Sequence, residues 1–197
     1  MGKKDNKIKK NKSVDFEKKL TKLYKELTKN RLKMIKLNSK LAKMYVEDYK
    51  FKDRDGNEVK LSQLFGNMND LIVIHNMGKS CSYCTMWADG FNGVYTHIEK
   101  RASFALISPD AFDVQKAFAD ARGWKFQMYS GKDTSFINDM GFYKEKEGYW
   151  PGASVFHKED GKIKRISKTF FGPGDYFCSV WHFFDMLPAE KKESKKN

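Results

Sequence analysis

Cys81-Ser82-Tyr83-Cys84 sets two thiols three residues apart, one turn of a helix if a helix begins there. Before them, Leu71-Ile72-Val73-Ile74-His75 reads as a buried strand; after them, Trp87, Phe91, Val94 and Ile98 recur at helical spacing. That context gives the spacing its chemistry. Unpaired backbone N–H groups and the dipole at a helix N-terminus stabilise an anion, so Cys81 should ionise more readily than a free thiol. Lys79 adds positive charge nearby. Cys84, one turn on, is then placed to attack a mixed disulfide formed on Cys81.

The competing chemistry is a metal site. Zinc usually takes four ligands, and the remaining cysteine, Cys178, has no companion at metal-site spacing. His75, His97, His157 or His182 could complete such a site, but nothing in their spacing suggests it, so a redox pair is favoured. Cys178 lies among Tyr176, Phe177, Val180 and Trp181 and reads as a buried small hydrophobe, and Trp87 reads as core rather than as a substrate platform. Gly90 and Gly93 each weaken a helix interior by ~1 kcal/mol, which suggests a kink or close backbone packing there. No phosphate loop, dinucleotide fingerprint or Ser-His-Asp arrangement is visible, and no cofactor is implied.

The elements that must position the pair follow from periodicity. Tyr49–Phe51 and Val59–Leu61 flank Asp55-Gly56 as a hairpin. Strand 71–75, a helix over 81–101, strand 103–108, helix 110–122 and strand 125–130 then alternate, an order that implies parallel strands with helices on both faces. Strands 153–157 and 163–167 around Asp160-Gly161 form a second hairpin, and a last helix starts near Asp175 and ends before Pro188.

Ahead of this domain, residues 1–12 are almost all Lys, Asn and Asp and are expected to be disordered. From Phe16, the residues Leu20, Leu23, Leu27, Met34, Leu41 and Tyr45 trace a helical stripe between lysines, read as one helix, or two broken near Asn38-Ser39, whose stripe lies on the domain. The net charge of +13 is concentrated there: residues 1–50 hold 17 Lys/Arg against 6 Asp/Glu, residues 190–197 hold 4 against 2, and the rest is balanced at 17 each. A charge kept in an arm and a tail disfavours a nucleic-acid-binding domain. No signal-peptide core or membrane-spanning run is visible, so a cytoplasmic location and no membrane partner are expected. The division expected is a basic arm and helix over 1–45, a domain over 46–188 and a basic tail over 189–197.

Strand 71–75, the short loop and Cys81 to Cys84 together resemble the active-site region of thioredoxins. Pro151, just ahead of Ala153–Phe156, resembles the cis-proline that faces the cysteine pair in that family. His75, six residues before Cys81, stands at the offset of the buried acid that relays a proton to the second cysteine, and an imidazole of ordinary pKa ~6.5 could take that role; the equal alternative is a strand-end histidine satisfied by the backbone. The hairpin at Asp55-Gly56 followed by Leu61-Ser62-Gln63-Leu64-Phe65 is similar to the start of peroxiredoxin-related proteins. However, the proline and hydroxyl pattern of a peroxidatic cysteine precedes neither Cys81 nor Cys84, so a peroxidase of that type is disfavoured.

From about Phe16 to Leu187 the chain most closely resembles a bacterial thioredoxin-like family of unknown function. Its marks are Cys81 to Thr85, Asp89-Gly90-Phe91-Asn92-Gly93, Gly123-Trp124, Phe136-Ile137-Asn138-Asp139 and Phe184-Asp185-Met186-Leu187-Pro188. The resemblance implies an α/β, thioredoxin-like three-layer fold with a central mixed sheet behind an N-terminal basic helical arm. The function expected is that of a thiol-disulfide oxidoreductase-like protein. Cys81 attacks, Cys84 resolves, His75 moves the proton and Pro151 shapes the groove for a protein or low-molecular-weight thiol or disulfide. The alternatives are a non-catalytic thioredoxin-fold binding module and a metal carrier using the same cysteines.

Overall fold

The structure, a computed structural model, describes residues 3–38, 40 and 44–188. The chain falls into two units, residues 1–42 and 43–197. The first is built on a single helix, α1 (Lys3–Asn38). Residues 3–12 are therefore helical where disorder was expected. Lysine is a good helix former, and extending an existing helix costs far less than nucleating one, so the polar segment can continue the amphipathic one. Along this helix Phe16, Leu20, Leu23 and Leu27 keep between 47% and 61% of their surface in solvent. Leu41 and the basic tail of residues 189–197 lie outside the described residues.

In the second unit, strands β1 (Met44–Val46), β2 (Lys50–Lys52), β3 (Glu58–Lys60), β4 (Asp70–His75), β5 (Ser103–Ser108), β6 (Gln127–Ser130), β9 (Gly152–Glu159) and β10 (Lys162–Phe170) form one sheet. Their order is β1-β10-β9-β4-β5-β6-β2-β3. β4, β5 and β6 run parallel and the other pairs are antiparallel, which makes the sheet mixed. Tyr45, counted with the arm on helical spacing, instead sits in edge strand β1 opposite Lys164, a long-range pairing that no local pattern reveals.

Successive side chains of a strand point to opposite faces, and here both faces are covered. Leu71, Val73, Ala105 and Ile107 join one core with Phe51, Leu61, Phe65, Phe136, Phe142 and Phe156. Ile74, Phe104 and Leu106 join the other with Trp87, Phe91, Trp124 and Phe126. The first core is closed by a 3-10 turn (Leu61–Phe65) and α4 (Phe136–Asp139). The second is closed by α2 (Ser82–Ile98) and α3 (Phe112–Arg122), with α5 (Ser179–Phe184) bringing Val180 and Trp181 against it. The result is a three-layer α/β fold. A further hairpin, β7 (Tyr143–Lys144) and β8 (Gly148–Tyr149), lies apart from the main sheet.

The marks of the resemblance turn out to join α2 to the α3–β6 turn. Asp89 pairs with Arg122 and accepts from Trp124 Nε1 at 2.8 Å, while Asn92 accepts from the Lys125 amide at 2.8 Å. Gly90 and Gly93 are not close-packing sites: α2 runs through both without a break, and a Cβ at either would meet nothing within 4 Å.

Candidate functional site

β4 ends at His75, and the ladder with β5 is extended by the Asn76 amide, which donates to the Ile107 carbonyl at 2.9 Å. The chain then turns within a few residues. Asn76 Oδ1 accepts from the Gly78 amide at 2.7 Å, and Gly78 adopts φ 104°, a left-handed conformation suited to glycine. Asp110, from the loop between β5 and α3, holds the turn from outside. Its Oδ2 accepts from the Lys79 amide at 2.7 Å, and its carboxylate lies 2.9 Å from where a Gly78 Cβ would be. Buried Gln115 in turn donates to the Asp110 carbonyl at 3.1 Å and to Ser108 Oγ at 2.7 Å, so the clamp rests on a fixed loop.

Asp110 escaped the sequence reading because it looks like an ordinary helix-start residue; its role depends on a loop 30 residues away. Asp110→Ala is expected to cost about 1.5 kcal/mol and to speed hydrogen exchange at the Lys79 amide selectively. Unchanged Lys79 exchange would show that Asp110 does not hold the turn.

Cys81 is the residue that caps α2. Its backbone is extended, with φ −88° and ψ 102°, and its Sγ accepts from the Cys84 amide at 3.0 Å. The Thr85 amide and hydroxyl both reach the Cys81 carbonyl at 3.1 Å, which ties the first turn together. Cys81 and Cys84 form a disulfide with their Cα atoms 5.2 Å apart. Cys84 is buried, Cys81 is half-buried, and Ser82 and Tyr83 are exposed. Tyr83, between the two cysteines, meets Trp181 at a tilt at 5.5 Å between ring centroids, and Trp87, one turn after Cys84, lies 5.4 Å from Phe171 in the second core. Cys178 is buried in the second core. Among the described residues, no cluster of three or more His, Cys, Asp or Glu is arranged to hold a metal.

His75 and Pro151 are brought to the same end of the sheet, but not in the way the resemblance implies. Gly152 pairs with His75 across the β4–β9 ladder, which sets Pro151 one residue beyond it. Among the described residues no peptide bond is cis, and the one before Pro151 is trans. The His75 ring is buried on the face opposite α2, stacked on Phe142 at 3.7 Å and near Phe136 at 5.5 Å, both in the first core. Its Nε2 meets Ser154 Oγ at 2.9 Å and its Nδ1 has no partner. Burial, followed by the charges of Arg165 and Lys168, holds its pKa well below the ordinary histidine value. The alternation of β4 thus separates His75 from the helix that carries Cys84.

Fold and cysteine placement define a thioredoxin-fold domain with a disulfide-bonded Cys-x-x-Cys at the start of α2. The chain belongs to the family described as "Bacterial protein of unknown function (DUF899)", which it matches over residues 4–197. Solved structures similar to it include peroxiredoxin Q of Xanthomonas campestris, at 16% identity over 70% of this chain and 90% of that one, with a TM-score of 0.58. Peroxidoxin BcpB of Mycobacterium tuberculosis matches at 20% identity over 64% and 82%, with a TM-score of 0.56. AhpC of Enterococcus faecalis matches at 20% over 68% and 83%, with a TM-score of 0.55. At these identities the likeness is one of fold. No curated protein matches the chain. No helix among the described residues is long and apolar enough to cross a membrane.

Proposed function

We infer that the protein exchanges electrons with disulfides through Cys81 and Cys84. The observation that carries this reading is the capping geometry: the Cys84 amide already donates to Cys81 Sγ, and in the reduced protein the same N–H would hydrogen-bond a thiolate. The Cys81 thiolate attacks one sulfur of a substrate disulfide, and the other sulfur leaves as a thiolate. Cys84, as thiolate, then attacks Cys81 Sγ, releases the second substrate thiol and closes the Cys81–Cys84 disulfide. Two electrons pass from protein to substrate, and the direction reverses with a more oxidising partner.

Pro151, at the sheet end beside His75, is assigned to the wall of the substrate groove. His75 is assigned a positioning role for the end of β4; its place across the sheet favours solvent or substrate as the proton acceptor for Cys84. The peroxiredoxin names of the structural neighbours agree with thiol chemistry, but the missing proline and hydroxyl ahead of Cys81 favour a disulfide over a peroxide as substrate.

Alkylation of the reduced protein across a pH series tests the assignment. Cys81 is expected to react first, with a pKa below the free-cysteine value of ~8.5. Cys84→Ser is expected to accumulate a mixed disulfide with glutathione disulfide. Equal, slow labelling of both cysteines would replace this reading with that of a non-catalytic thioredoxin-fold module.

A further inference from the structure

The first unit carries a feature that the thiol chemistry does not use. α1 is 36 residues long, ~54 Å at 1.5 Å per residue, and its apolar positions follow the 3-4 spacing of a coiled-coil seam. Phe16, Leu20, Leu23, Leu27, Asn30, Met34 and Leu37 alternate in steps of four and three over three heptads. Leu20, Leu23, Tyr24, Leu27 and Asn30 line a shallow apolar hollow along this face. Leu23 and Leu37 are 59% and 64% exposed, far more than seam leucines keep once paired.

The flanking charges say what fits the seam. With Leu20, Leu27 and Met34 at the a positions, Lys19, Glu26 and Lys33 occupy g, and Tyr24, Arg31 and Asn38 occupy e. In a parallel pair, each g residue faces the e residue five positions later on the other helix. Glu26 then faces Arg31, Lys19 faces Tyr24, and Lys33 faces Asn38, so one contact is attractive and none sets like charges together. Glu26 also approaches Lys22 of its own helix at 4.0 Å, a contact that leaves it at the seam's edge. The single polar seam residue, Asn30, meets itself only in the parallel, in-register pairing, where two amides can hydrogen-bond each other. The lysines at 18, 22, 25, 29 and 36 fall outside the contact.

We propose that α1 is a parallel, in-register dimerisation helix whose partner is α1 of a second copy of this chain. The rival occupant of a basic amphipathic helix is an anionic surface, and salt separates the two. Like-charge repulsion between the outer lysines is screened by salt, so the dimer holds or tightens as salt rises, whereas binding to an anionic surface weakens.

Sedimentation equilibrium of the full chain at low and high salt is the test. A reversible dimer is expected, and Leu23→Asp with Leu27→Asp should raise its dissociation constant by roughly a hundredfold or more. Circular dichroism and Cys81–Cys84 thiol titration control for folding of the second unit. Glu26→Lys and Arg31→Glu should each weaken the dimer by about fivefold, and the two together should restore it, because the pair is then exchanged rather than broken. A monomer throughout, a dimer indifferent to the seam variants, or a double variant as weak as the single ones would overturn the proposal. A monomer that binds phosphatidylglycerol vesicles only at low salt would overturn it in favour of the anionic surface.

Discussion

Replacing Gly152 with alanine is expected to destabilise the second unit by about 3 kcal/mol or more, enough to unfold a domain of ordinary stability at moderate temperature. A Cβ at Gly152 would overlap the Thr169 carbonyl oxygen and the Phe142 ring, and would lie 3.1 Å from Phe170 Cα. None of these groups can move cheaply. Thr169 and Phe170 belong to β10, paired with β9 at Ala153 and Gly152, and Phe142 is wholly buried against His75. A methyl group there therefore pushes β10 off the sheet or the ring off the imidazole.

Gly93→Ala in α2 is the control. It changes the same atoms in open space and is expected to stabilise by ~0.5–1 kcal/mol through helix propensity alone. Urea unfolding followed by circular dichroism reads both values. A Gly152→Ala loss below about 1 kcal/mol would mean that β10 and Phe142 yield together at little cost.

The second large effect is acid sensitivity set by His75. Its imidazole is buried, meets Ser154 Oγ, faces the charges of Arg165 and Lys168, and is held neutral with a pKa well below 6.5. Above pH ~6.5 the ring is neutral in both the folded and the unfolded chain, and folded stability is complete. As pH falls below that value, the unfolded chain takes up a proton that the folded chain refuses. Stability is then lost progressively until the folded pKa is reached.

Urea midpoints are thus expected to fall between pH 7.5 and 5, where most carboxylates are still ionised. His75→Gln keeps a hydrogen-bonding group for Ser154 but cannot titrate in this range. It should lower stability at pH 7.5 through lost stacking on Phe142, and should flatten the decline below pH 6.5. A variant with the same pH slope as the unaltered protein would assign the acid sensitivity to other groups. The nearest alternative is Asp70, which Arg101 and then His157 hold below the usual carboxylate range, and whose contribution is lost at lower pH.

Residue patterns alone placed the cysteine pair and most of the elements around it. The unbroken apolar runs 71–75 and 103–108 announce strands covered on both faces, and they are β4 and β5, parallel neighbours at the middle of the sheet. The three-residue spacing of Cys81 and Cys84, straight after such a run, locates a helix start. The cap is there because a strand leading into an amphipathic segment leaves little other geometry. These signals are legible because each rests on local periodicity or on residues within one turn.

What depended on distant partners was not legible. Whether His75 faces α2 or the opposite core turns on the pleat of β4 against the positions of Phe136 and Phe142, more than 60 residues away. Asp110 becomes the anchor of the cysteine loop only when β5 lies beside β4, and Tyr45 becomes a strand residue only when β10 is there to pair with it. The stripe on α1 was read correctly as amphipathic, but amphipathicity states that a face seeks cover, not what covers it. In the proposed dimer it is the charges at the edges of that face that select the partner. Local sequence thus determined where the thiols sit and most of the segments that are helices or strands. The tertiary structure decided which side of the sheet each group faces, because that is settled by long-range pairing.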